Sequence, residues 1–261
     1  MSVRNVILIF KKELLSFFSS FVAYAVIAVF LAITGYLFYS LLANFSILSF
    51  QAQANPMIAR QHNLLNINET VVRPLFGNIS MIMLLMTPLL TMRLLAEEKK
   101  SGTMELLLTY PVRDSEVVVG KYLACLVVLL ALLLPTATYP ALLVVWGEPE
   151  IMPIVTGYLG LFLLGSAFIA LGVFASSVTE NQIVAASLAV GILFFFWLMS
   201  YSVTFVSPGI GQIISYIAIS EHLDSLAKGV VDTEDIVYYL GFVLVFLFLT
   251  LRAVEANRWR G

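Results

Sequence analysis

Two histidines and one cysteine are the scarce reactive side chains of this 261-residue sequence, and their settings exclude most chemistry. His62 and His222 lie far apart, both in segments that read as loops, with no H-E-x-x-H and no companion ligands, so no metal site is expected. Cys125 stands alone within an apolar run, which leaves no intramolecular disulfide and no thiolate cluster. Gly165-Ser166 lacks the G-x-S-x-G setting and any base nearby in sequence; helix packing through small residues explains Gly160, Gly165, Ser166 and Gly172 more simply. Gly120-Lys121 is followed by Tyr122, and Ser115 stands where a phosphate-binding loop needs its first glycine. No catalytic residue, cofactor or metal ligand is assigned to the chain, and ATP hydrolysis is not expected of it.

One dense constellation remains, from Arg93 to Pro111. Charges at Glu97, Glu98, Lys99 and Lys100 end one helix, and Gly102 supplies a permissive break. Thr103 can cap a new helix, Glu105 falls in its first turn where a carboxylate complements the dipole, and Pro111 stops it. Met104, Leu107 and Leu108, at i, i+3 and i+4, then form a compact apolar ridge framed by Glu97, Glu98 and Arg113. Such a ridge is either a plug for a groove on another protein or a helix dipped into lipid headgroups. The turn Ser177, Thr179, Glu180 is a second contact with the same partner, or a plain connection.

The elements that must position this ridge are membrane spans. Apolar residues make up 61% of the chain and charged ones 11%, against about 45–50% and 25% in soluble domains. Six runs of spanning length are predicted at 21–42, 76–93, 117–146, 154–175, 183–206 and 235–251, the third bent at Pro135 and Pro140. The fold class is therefore all-α, a polytopic membrane protein with 1–261 as a single domain and no nucleic-acid stripe. The middles of these spans lack charge, which argues against a stand-alone ion- or proton-coupled carrier.

Lys and Arg divide unevenly between the two sides. Arg4, Lys11, Lys12, Arg93, Lys99, Lys100, Arg113, Lys121, Arg252, Arg258 and Arg260 share one side, and Arg60, Arg73 and Lys228 the other. The positive-inside rule then places both termini in the cytoplasm. Residues 2–19 carry an apolar stripe of Val3, Val6, Ile7, Phe10, Leu14, Phe17 and Phe18, expected to lie in the cytoplasmic interface before a bend at Ser19-Ser20. On the outer side, Ser207-Pro208-Gly209 and the ten residues 210–219 are too short to span, so 207–232 reads as a re-entrant or interfacial hairpin.

The block Glu97-Glu98-Lys99-Lys100-x-Gly102-Thr103-x-Glu105-Leu106-Leu107, then Pro111 and Gly120-Lys121-Tyr122, resembles the ABC-2 type transporter permeases, specifically their gliding-motility-type subset. Lys12-Glu13-Leu14-x-x-Phe17-Phe18-Ser19-Ser20 and His222-x-x-Ser225-x-x-x-Gly229-Val230-Val231-Asp232 are similar to it as well. The resemblance implies a six-span permease half of an exporter in a bacterial inner membrane, with residues 2–19 as connecting helix and 103–110 as the coupling helix that docks an ABC ATPase subunit. ATP and Mg would be bound by that ATPase. A second permease half, identical or related, would complete the membrane part, and a membrane protein with a large extracytoplasmic domain is a further partner in this subset. A stand-alone channel or carrier, and a scaffold that moves a partner without transport, are the alternatives.

Overall fold

A computed structural model describes residues 2–54, 66–103, 112–147 and 149–258. They form helices throughout, with no strand among the described residues: α1 Val3–Ser19, α2 Phe21–Ala54, α3 Arg73–Thr91, α4 Arg93–Lys100, α5 Asp114–Thr136, α6 Thr138–Trp146, α7 Ile151–Val178, α8 Gln182–Ser202, α9 Pro208–Ile217, α10 Glu221–Ala227 and α11 Thr233–Arg258. Six helical stretches are long and apolar enough to cross a membrane, and the chain is a multi-pass membrane protein.

Several boundaries exceed what hydropathy predicts. α2 continues past the expected end at 42 to Ala54, since nothing in 43–54 breaks a helix; its 34 residues reach about 51 Å at ~1.5 Å each. A π-helical turn at Asn68–Val72 leads into α3, and helix resumes after Met92 to reach Lys100. The third span breaks after Thr136. Pro135 and Pro140 cannot donate to the carbonyls of Ala131 and Thr136, which weakens the helix there; beside the break the hydroxyls of Thr136 and Thr138 donate to Leu133 O and Pro135 O at 2.7 Å.

α7 is the core of the bundle: 83% of its most apolar window is buried, against 22% for α2 and 17% for α8 and for α11. Glycines let its neighbours approach. A Cβ on Gly157 would lie 2.1 Å from the Phe76 ring, one on Gly165 2.4 Å from Met83 Cε, and one on Gly172 2.2 Å from Thr91 Oγ1. These positions rise together along α3 and α7, so the second and fourth spans run parallel and in contact along their length. Gly160 faces the other way, toward Leu223 and Leu226 of α10. In a bilayer, such close backbone packing replaces the missing hydrophobic drive between helices.

The end of the bundle that carries α1, α4 and the α7–α8 turn is called basal below, the other distal. At the distal end α9 and α10 are two short helices within 207–232, closed by Gly229 at φ +90° against Pro153. Arg73 holds Asp224 through Nε and Nη2 at 2.8 and 2.9 Å, Lys228 reaches the same carboxylate at 2.6 Å, and Thr156 donates to Leu226 O at 2.6 Å. A cavity of about 530 Å³ opens beside them, with Arg73, Asn78, Trp197, Tyr201, Glu221 and Asp224 in its wall.

His222 departs from the loop position expected of it. It lies in α10, 6% exposed, because the hairpin folds back over α11 and covers it. His62 lies outside the described residues.

Candidate docking platform at the basal end

The elements leading to the apolar ridge are joined at three places. The first is the bend between α3 and α4. Pro88 lies one turn before it, and Ser176 of α7 reaches into it: the hydroxyl donates to Met92 O at 2.9 Å and accepts from the N–H groups of Leu95 and Ala96 at 3.1 and 3.0 Å. One donor and two acceptors exhaust a serine hydroxyl. The backbone groups freed by the break are thus satisfied by a neighbouring helix, as membrane burial requires.

The second joint is ionic. Lys121, expected at the edge of the connection, sits inside α5 at 1% exposure, its Nζ 2.8 Å from Glu13 Oε1 and 2.9 Å from Glu98 Oε1. Lys12 closes the set, 3.1 Å from Glu98 and 3.5 Å from Glu13. Burial alone would lower the Lys12 ammonium, but the carboxylates of Glu98 and Glu13 outweigh it and hold it above its usual value. Two cations and two anions alternate, joining α1, α4 and α5. Sequence reasoning gave Glu13 no role; a lysine two turns into an apolar helix was the signal that buried carboxylates had to come to it.

The third joint docks α1 on α5. Val6 and Ile9 press on Gly120, where a Cβ would meet Ile9 Cγ2 at 2.9 Å. The Glu116 carboxylate accepts from the Ser2 N–H, from Asn5 Nδ2 at 2.9 Å and from the Arg113 N–H at 3.3 Å. At the far end of α1, Arg93 lies over the Phe17 ring at 4.7 Å, and Ser20 adopts the extended conformation that separates α1 from α2. The stripe on α1 therefore divides: Val6 and Phe17 are buried, while Val3 and Ile7 remain exposed.

Around these joints the expected docking residues separate. Glu97, Gly102, Thr103 and Arg113 are exposed, whereas Glu98 is half-buried and committed to Lys121 and Lys12. Gly102 takes φ +69°, which only glycine adopts without strain, and folds the chain back at the end of α4. The Thr103 hydroxyl then donates to Glu98 O at 3.3 Å, capping the helix it follows. Met104, Glu105, Leu107, Leu108 and Pro111 lie outside the described residues.

In the second expected contact, Ser177 is buried, its hydroxyl donates to Phe174 O at 2.7 Å, and its carbonyl accepts from Lys99 Nζ. It offers nothing to a partner, because α7 runs on to Val178 and Ser177 lies in its buried last turn; Glu180 stays exposed and Thr179 half-buried. Asn181 ends the turn as the N-cap of α8, accepting from Ile183 N at 2.9 Å.

Five apolar spans around a sixth, buried one, with a charged basal platform bolted to an N-terminal helix, define the class as a multi-pass membrane permease. Residues 7–256 match the family described as ABC-2 family transporter protein, and the chain belongs to that family. No curated protein matches it in sequence. The family is one of ABC transporter permeases that work with ABC ATPase partners, and it implies a membrane subunit without its own ATPase site.

Proposed function

We propose that the chain is one permease half of an ABC exporter, and that its basal end is where an ABC ATPase subunit docks and pushes. The observation that carries this reading is the triple anchoring of α4. Ser176, Lys121 and Lys99 tie that helix to α7, α5 and α1, while the residues that follow it, Ser101, Gly102 and Thr103, remain exposed. A force applied at the segment that follows would reach three spans without being lost in bending. On this reading 103–110 is the coupling helix, with Met104, Leu107 and Leu108 in a groove of the ATPase and Glu97, Glu105 and Arg113 at its rim.

ATP and Mg would belong to the ATPase. A second permease half, identical or related, would pack on the broad apolar faces of α2, α8 and α11. Both termini would face the cytoplasm of a bacterium, and residues 2–19 would lie at its membrane surface as connecting helix. The gliding-motility-type subset is carried by the sequence blocks at 12–20, 97–122 and 222–232 alone; if it holds, a membrane protein with a large extracytoplasmic domain is a further partner.

Co-purification from native membranes tests the reading. Tagged protein brings down an ATPase, and Leu107→Asp lowers its recovery at least tenfold without changing the yield of membrane protein, since an unpaired carboxylate in an apolar groove is strongly disfavoured. ATPase recovery unchanged by Leu107→Asp would overturn the docking site. ATP-dependent efflux from proteoliposomes then separates an exporter from a scaffold.

A further inference from the structure

The distal hairpin holds a histidine whose two ring nitrogens both face acceptors. His222 Nδ1 lies 2.7 Å from Asp235 Oδ1, and Nε2 lies 3.2 Å from the carbonyl oxygen of Tyr216. A neutral imidazole has one N–H and one lone pair. In either tautomer, one of these two contacts would set a lone pair against an acceptor. Asp235 sharpens the point: it is 5% exposed, and its Oδ2 has no hydrogen-bond partner. A buried carboxylate with one bare oxygen is costly unless a cation lies beside it. The Tyr238 ring stacks on the imidazole at 3.9 Å and closes off the remaining face.

We propose that His222 and Asp235 form a proton-binding site, occupied as an imidazolium–carboxylate pair at neutral pH, and that the proton on Nε2 fastens α9 to the rest of the hairpin. When one proton leaves, Nδ1 keeps its own, because the carboxylate is the shorter and stronger contact. Nε2 is then bare against Tyr216 O, and α9 is the element loosened, held there only by the Tyr238 hydroxyl on Ile217 O and by Glu234 on the Tyr216 phenol. α10 stays in place through Arg73–Asp224, Thr156–Leu226 and the Tyr239 hydroxyl on Ile219 O at 2.9 Å.

The other ionisable groups around the site are engaged elsewhere or remote from the ring. From α11, Glu234 pairs with the Tyr216 phenol and holds it above its usual range, Tyr238 donates to Ile217 O at 2.7 Å, and Tyr239 meets the imidazole only edge-on. On α10 itself Asp224 is held by Arg73 of α3 and by Lys228, and Glu221 is exposed. α7 contributes only the uncharged Thr156. That the site would read extracytoplasmic pH rests on the orientation proposed above; that it binds a proton does not.

Two measurements test it. The chain has only two histidines, so His62→Asn leaves His222 as the sole histidine. Solid-state ¹⁵N spectra of this variant in lipid bilayers should show both ring nitrogens protonated at pH 7; a neutral pattern, one protonated and one bare, overturns the proposal. Hydrogen exchange over 208–217, corrected for its intrinsic pH dependence, should rise about tenfold on the alkaline side, the weight of one lost hydrogen bond. Asp235→Asn should abolish that rise and keep α9 protected, because the amide can donate to a neutral ring that still bonds Tyr216. His222→Gln should likewise remove the step. A flat wild-type profile, or a step that persists in either variant, overturns the proposal, and neither result bears on ATPase docking.

Discussion

The two ends of the bundle are both tied by buried charge, but in opposite styles. At the basal end Lys12, Glu13, Glu98 and Lys121 form a closed set of alternating sign in which Lys121 has two partners. That set matches two basic side chains with two acidic ones. At the distal end His222 and Asp235 form a single pair, Nδ1 to Oδ1 at 2.7 Å, joined on the proposal above by one exchangeable proton. Redundancy suits a joint that must transmit force unchanged, and dependence on one proton suits a joint that lets go.

The largest effect should come from breaking the basal set at its centre. Lys121→Met leaves Glu13 and Glu98 with only the half-exposed Lys12, and uncompensated buried charge costs about 3–5 kcal/mol. Glu13→Gln should cost clearly less, since Lys121 keeps Glu98. Denaturant unfolding in detergent measures both. Equal losses would show that the set is not shared and that the comparison between the two ends fails.

Next in size is the packing that connects the ends. Gly172→Ala forces a methyl to within 2.2 Å of Thr91 Oγ1, and overpacking of this kind costs about 1–3 kcal/mol. Thr91→Ala removes the nearest clashing atom but leaves its Cβ at 2.9 Å, so the double variant should recover part of the loss in the same unfolding measurement. Full additivity of the two single losses would place the strain elsewhere.

What was legible in the sequence follows the range of the interactions. Span number, the bend at Ser20, the breaks at Pro135 and Gly102 and the small-residue face of α7 are local or periodic, and each appears where expected. The same reading missed Glu13, Ser176 and the burial of His222, because each acquires its role from a residue on another helix. Hydropathy counts Glu98 as a surface charge; only the fold brings Lys121 to it from the next span. Ser177 was misplaced because α7 runs past the expected end of its span at 175 to Val178, which buries Ser177 and turns its carbonyl to Lys99.

The smallest expected effect divides the distal end itself. Burial would raise the Asp224 carboxyl, but Lys228 and Arg73 outweigh it and hold it below its usual range. A depressed carboxyl contributes stability above its unfolded value, about 3.9, and loses it as pH falls through the folded value. The α3–α10 contact should therefore loosen only in acid below about pH 4, whereas the α9 contact through His222 loosens in alkali. Because Asp224 is half-exposed and screened by water, Asp224→Asn should cost less than about 1 kcal/mol at neutral pH. Hydrogen exchange resolved by segment should then show protection of 208–227 falling at both extremes of pH. Asp224→Asn would flatten the acid limb in 221–227 and leave the alkaline limb in 208–217 untouched. If one substitution removed both limbs, the hairpin would be a single cooperative unit, and its two fastenings would not act as separate joints.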